Sequence, residues 1–151
     1  MSAVPDESTG RAQPPMPKVL GGVVAYLTVG GASAASEFYQ RAFGATEVFR
    51  YPVDEQGRTM HIHLYVNGSS VMLNDPYPEH GHPLKTPQGF NMTLQVDDID
   101  QWWDRAVAAG AKVEMPVSLM FWGSRYGQVR DPFGVMWSMN EKPRQSSHTG
   151  S

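Results

Sequence analysis

The chain carries the same order of signals twice, and this internal repeat restricts its fold more than any other feature of the 151 residues. Tyr26-Leu27-Thr28-Val29 matches Thr93-Leu94-Gln95-Val96, Phe43-Gly44-Ala45 matches Ala109-Gly110-Ala111, and Val71-Met72-Leu73 matches Val135-Met136-Trp137. In the first half a strand, Val23–Val29, leads into a helix that starts near Ser33 and stops at Gly44. Strand-like segments follow at Ala45–Tyr51, Arg58–Val66 and Ser70–Asn74, with turns at Asp54-Glu55-Gln56-Gly57 and Asn67-Gly68. The second half repeats the order. A strand, Phe90–Val96, precedes a helix with Asp98 as N-cap, Gln101 three residues on and Gly110 as its stop. Segments Ala111–Val117, Arg125–Arg130 and Val135–Asn140 complete it, the last hairpin turning at Asp131-Pro132-Phe133-Gly134. The repeat offset drifts from 67 to 64, so the hairpins differ in length. The fold class expected is α+β, with two βαβββ modules forming a cupped mixed sheet.

One domain, 19–141, holds both modules, at 19–75 and 90–141, with a linker over 76–89 that contains four prolines and is expected to run over the surface. Residues 1–18 and 142–151 are polar, with almost nothing to bury, and are expected to form a disordered arm and tail. Cysteine is absent, which excludes disulfides, thiolate metal sites and cysteine nucleophiles. Twelve basic against fifteen acidic residues give a net charge of −3 without a run of like charge, so nucleic acid is not an expected partner. No segment approaches a membrane span and no apolar signal core is present, so the expected location is the cytoplasm.

Alternation along the strands divides their side chains between two faces. Val23, Ala25, Leu27 and Val29 form one apolar row, and Met60, Ile62, Leu64 and Val66 another; both are expected to pack on the helices. Trp102, Trp103 and Trp137 fall in similar core rows. The other face of the first module carries Tyr26, Thr28, His61, His63, Tyr65, Met72 and Asn74. That of the second carries Asn91, Thr93, Gln95, Met136, Ser138 and Asn140. Neither set contains Lys or Glu. Uncharged polar groups interleaved with aromatics and methionines suit a partly dry cavity that orients a small molecule, although a satisfied polar interior or a dimer surface has the same pattern. Trp122, Arg125 and Tyr126 offer a stacking and anion-clamping group at the mouth of such a cavity; the alternative is a packed connection with Arg125 paired to a carboxylate such as Asp131. His61 and His63, two apart on one face, are the candidate catalytic residues: one imidazole as general base, or both as metal ligands with Asp75 or Glu79 joining from the linker.

Several motifs together resemble the glyoxalase/bleomycin-resistance superfamily, the vicinal oxygen chelate proteins, and in particular its PhnB-like branch. They are Tyr26-Leu27-Thr28-Val29, Phe38-Tyr39, Ala42-Phe43-Gly44-Ala45, Val96-Asp97-Asp98-Ile99-Asp100, Ala106 to Ala111, Phe121 to Gly127 and Asp131 to Trp137. The resemblance covers about residues 20–140. It implies a homodimer with a small-molecule partner. In metal-dependent members it also implies a divalent ion held by four His or Glu side chains on the first and last strands of each module. Carried over, those positions are Val24, Asn74, Asn91 and Ser138, which are poor ligands, so no cofactor is expected. Drug or metabolite sequestration is the function this favours. The alternative is a lyase, isomerase or dioxygenase with its metal centre moved to His61 and His63. The methyltransferase label sometimes attached to the PhnB-like branch finds no support, because a nucleotide-binding glycine loop is missing.

Overall fold

The computed structural model describes residues 16–143. The first module runs β1 (Ala25–Thr28), α1 (Ala32–Phe43), β2 (Thr46–Arg50), β3 (Ile62–Val66) and β4 (Ser69–Asn74). The second runs β5 (Met92–Val96), α2 (Ile99–Ala109), β6 (Lys112–Leu119), β7 (Arg125–Arg130) and β8 (Met136–Glu141). Each makes one four-stranded mixed sheet, in the orders β1-β4-β3-β2 and β5-β8-β7-β6. Within each, the first strand lies parallel to the last and the remaining pairs are antiparallel. The expected pair of βαβββ modules is therefore the observed fold.

Both helices join one core. α1 buries Ala35, Phe38, Tyr39, Ala42 and Phe43, and the Phe43 and Tyr39 rings meet Trp137 of β8 at 4.4 and 5.2 Å between centroids. Aromatic pairs at such spacings add to area burial, so this cluster ties the modules together. Asp131 completes the tie: its Oδ2 accepts from the Tyr39 hydroxyl and from Trp137 Nε1 (2.9 Å), while Oδ1 accepts from the backbone N–H of Phe133 and Val135. Gly44 ends α1 at φ 67°, and a Cβ there would approach the Arg105 guanidinium to 3.1 Å. Left-handed backbone and close approach both call for glycine.

The two helix starts are satisfied differently. α2 begins as the sequence suggests, with Asp98 Oδ1 accepting from Gln101 N–H (3.2 Å), and Glu141 Oε2 adds a bond from Ile99 N–H (3.2 Å). α1 begins at Gly31, which has no side chain to offer. The carboxylate of Asp75, just after β4, substitutes by accepting from Gly31 and Ala32 N–H (3.1 and 2.8 Å) and from Thr59 N–H (2.8 Å).

Several expectations need correction. β1 starts at Ala25, and Val23 is 99% exposed rather than core. β3 starts at Ile62, not Arg58, and Met60 is 63% exposed. Asp54 explains the difference, since its Oδ1 binds the N–H groups of Gln56 and Arg58 and folds that stretch into a loop. Trp102 and Trp103 are half-buried, whereas Trp137 is core. Arg125 takes the alternative expected for it and pairs with a carboxylate, Asp100 (2.8 and 3.1 Å) rather than Asp131, because alternation puts it on the helix side with Gly127 and Val129. The ladders pair Thr28 with Asn74 and Gln95 with Asn140, so β4 and β8 correspond at an offset of 66 rather than 64. Residues 1–15 and 144–151 of the expected arm and tail lie outside the described residues. The inner end of the arm is attached, the Tyr65 hydroxyl donating to Lys18 O (2.7 Å), and just beyond it Leu20 N–H donates to Ser70 Oγ (2.7 Å).

Candidate functional site

Each sheet turns one face to its helix and leaves the other for the polar side chains singled out above. On the first sheet, Tyr26, Met72 and His63 lie side by side across β1, β4 and β3. The Tyr26 hydroxyl sits 2.7 Å from His61 Nδ1, and Thr28 Oγ1 donates to Asn74 Oδ1 at 2.7 Å. His61 and His63 share this face as expected but differ in setting. His61 is half-exposed beside Tyr26, whereas His63 is only 3% exposed and places Nε2 2.7 Å from Ser70 Oγ, beside the residue 18–20 segment. Asp75 and Glu79, the carboxylates that would complete a metal centre with them, are committed elsewhere: Asp75 to the start of α1, Glu79 to Arg58.

On the second sheet Thr93, Ser138 and Gln128 form the corresponding row, and Gln95, Asn140 and Tyr126 the next. Asn91 Oδ1 accepts from Thr93 Oγ1 (2.6 Å) and Ser138 Oγ (2.9 Å). Asn140 donates to Gln95 Oε1 (3.0 Å) and accepts from Trp122 Nε1 (3.3 Å), while Gln128 donates to the Tyr126 hydroxyl (3.0 Å). Trp122 and Tyr126 meet edge to face at 5.5 Å. Trp122 and Tyr126 thus join the polar face, and Met136 opens β8 on it; Arg125 does not join. These side-chain hydrogen bonds run within one sheet or the other. A link between the sheets is Asn67 Nδ2 donating to Gln95 O (2.9 Å).

The arrangement is one that known proteins share. A family model described as the Glyoxalase/Bleomycin resistance protein/Dioxygenase superfamily matches residues 20–139. The chain belongs to that superfamily. An uncharacterised protein of Mycobacterium tuberculosis strain H37Rv is 40% identical over 126 residues, covering 80% of this chain and 74% of its own length. Protein PA1353 of Pseudomonas aeruginosa has a solved structure with TM-score 0.67 and 28% identity, covering 81% of this chain and 98% of that one. The PhnB protein of Bacillus cereus, described as a putative 3-demethylubiquinone-9 3-methyltransferase, shares the fold at TM-score 0.63 and 20% identity, over 81% of this chain and all of its own.

The superfamily's metal positions can now be placed by strand register. Asn91 precedes β5 as Val24 precedes β1, and the residue equivalent to Ser138 is Met72, two positions before the expected Asn74. Val24, Met72, Asn91 and Ser138 supply neither an imidazole nor a carboxylate, and the Asn91 amide oxygen already accepts from the hydroxyls of Ser138 and Thr93. This donor set does not fit a divalent Lewis-acid metal, which needs stronger ligands with free lone pairs. Among the described residues no three His, Asp or Glu side chains gather as a metal-binding group.

Sequence reasoning missed the linker's part. The linker lies on the surface, and from there His82 reaches the first polar face, placing Nε2 3.1 Å from Thr28 Oγ1. His80 and His82 lie two apart in the sequence, but the loop closure that brings His82 to Thr28 involves Arg58, more than twenty residues away.

Burial pushes the His61 imidazole below its ordinary value, and the nearby His63 ring adds to this; burial lowers His63 likewise. A lowered folded pKa means that the unfolded chain takes up protons first as pH falls below the ordinary 6.5. Stability is therefore full above that value and declines as pH drops from it towards the folded values. Urea midpoints measured between about pH 7.5 and 5.5 should fall with pH, and less steeply in His63→Gln. A slope unchanged by the substitution would contradict this.

Proposed function

We propose that this protein binds a small molecule through the uncharged polar faces of its two modules, without a metal, and sequesters it rather than transforming it. The observation that supports this most is that Asn91 Oδ1 is taken up by the hydroxyls of Thr93 and Ser138, where metal-dependent superfamily members carry ligands. The scaffold is kept while the centre that would polarise a substrate oxygen is replaced by groups suited to orienting one. The faces hold aromatic surfaces (Tyr26, Tyr126, Trp122) beside amide and hydroxyl groups, the mixture that small flat ligands match. A homodimer belongs to the same proposal, because Tyr26 and Trp122 remain half-exposed in one chain and a second copy would close the cup over them. So does a cytoplasmic location; among the described residues no helix is long and apolar enough to cross a membrane.

A thermal-shift screen of planar aromatics and α-keto acids tests this. A ligand at about a hundred times its Kd should stabilise the native state by about 2.7 kcal/mol, a rise in Tm of several degrees. The shift should survive excess EDTA. Stabilisation that vanishes with the chelator would count against metal-free binding.

A further inference from the structure

At the end of the first polar face the linker and the sheet border an open cavity of about 280 Å³, lined by Met60, Asn74, Tyr77, His80 and His82. Its outer wall is braced. Tyr77 and His82 exchange two backbone hydrogen bonds around the short turn Pro78–His80 (2.6 and 3.0 Å). The Arg58 guanidinium lies 4.4 Å from the Tyr77 ring centroid, donates to both Glu79 oxygens (2.7 and 3.1 Å) and to Asp54 (3.0 Å). Hydrogen bonding from Arg58 holds the Glu79 carboxyl down to about 2, so this brace stays charged at any ordinary pH.

The inner wall is fixed by one proton. Thr28 Oγ1 has a single hydrogen, and Asn74 Oδ1, which can only accept, takes it at 2.7 Å. His82 Nε2, 3.1 Å from the same oxygen, must then be the donor; in the neutral ring this is the Nε2–H tautomer, whose Nδ1 is an acceptor. Asn74 has used its oxygen and keeps its Nδ2–H donors. Neither Asn74 Nδ2 nor His82 Nδ1 has a hydrogen-bonding partner among the described residues. Asn74 and His82 both line the cavity with Tyr77 and Met60, and their unpartnered groups are one donor and one acceptor coupled through one hydroxyl.

We propose that this cavity binds a flat cyclic amide, its carbonyl accepting from Asn74 Nδ2, its N–H donating to His82 Nδ1, and its ring lying against Tyr77 and Met60. A lactam edge carries an acceptor next to a donor and is the neutral complement of this pair; a carboxylate or an ether satisfies only one of the two. A cavity of about 150 Å³ already takes benzene, so a bicyclic lactam is within its size. The inference rests on the reading that this face binds small molecules, and names the chemical class for the first module.

The probe is quinolin-2(1H)-one, with its N-methyl derivative as the partner that has lost the N–H. Calorimetry should show the lactam binding about tenfold or more tightly than the N-methyl compound, as expected for one buried hydrogen bond. Asn74→Asp, which keeps an acceptor for Thr28 but removes the Nδ2 donor, and His82→Phe, which keeps a flat ring without the acceptor, should each abolish that preference. In ¹H–¹⁵N spectra the lactam should move the Tyr77 and His82 amide signals and leave the Trp122 indole signal in place. Equal binding of the two compounds, no binding of the lactam, or an unchanged preference in both variants would overturn the proposal. Movement of Trp122 instead of Tyr77 and His82 would overturn it while leaving small-molecule binding intact. Failure of every ligand in the broader screen would remove that underlying reading itself.

Discussion

Replacing Asp131 with alanine should lower the unfolding free energy by about 3–5 kcal/mol, a large fraction of what a domain of this size possesses. The carboxylate is 4% exposed and accepts from four donors, of which Tyr39, Trp137 and Val135 are themselves buried. Alanine leaves those donors in a dry core with nothing to accept from them, and stranded polar groups are costly there. Because Tyr39 belongs to one module and Trp137 to the other, the damage falls on the join between the two repeats. Tyr39→Phe is the informative comparison. It removes a donor rather than the acceptor, leaves Asp131 its three remaining partners, and should cost about 1–2 kcal/mol. Chemical denaturation of both variants checks the order; a Tyr39→Phe loss as large as that of Asp131→Ala would contradict the assignment of Asp131 as the hub.

The second large effect is an asymmetry between two related carboxylates. Asp75 follows β4 and Glu141 ends β8, and each accepts from the first N–H groups of its module's helix. Asp75→Ala should cost about 2–4 kcal/mol, since it orphans Gly31, Ala32 and Thr59 N–H where Gly31 provides no cap of its own. Glu141→Ala should cost about 1 kcal/mol, because Asp98 still caps α2 from within the sequence. Urea denaturation of the two variants measures the ratio. Equal losses would mean that the local Asp98 cap contributes nothing.

The same contrast marks what could be read from residues alone. The repeat, both helices and seven of the eight strands to within two residues at each end follow from local signals: alternation, glycine stops at Gly44 and Gly110, and the Asp98 cap. The first and third strands start later than their apolar rows suggest, because Val23 and Met60 continue those rows while the backbone there is diverted by Gly21-Gly22 and by the Asp54 turn. The offset between the last strands was misjudged by two residues because Val-Met recurs in the sequence by chance, whereas hydrogen-bond register equates Met72 with Ser138. For Arg125 the residue types leave a cavity mouth and a packed carboxylate pair both open; the alternation through Gly127 and Val129 decides for the helix side and Asp100. His82 could not have been found locally. Its approach to Thr28 depends on a turn braced by Arg58 and Glu79, and no periodicity reports contacts between residues so distant in sequence.

Two polar faces without a charged ligand set are the basis for reading this superfamily member as a metal-free binder. Elemental analysis of protein purified without chelator, with calorimetric titration of Zn, Ni, Mn and Fe ions into the EDTA-treated and dialysed chain, tests that claim most directly. The account predicts far less than one metal ion per chain and no saturable uptake. One tightly held ion per chain, lost on Asn91→Ala or Ser138→Ala, would contradict it.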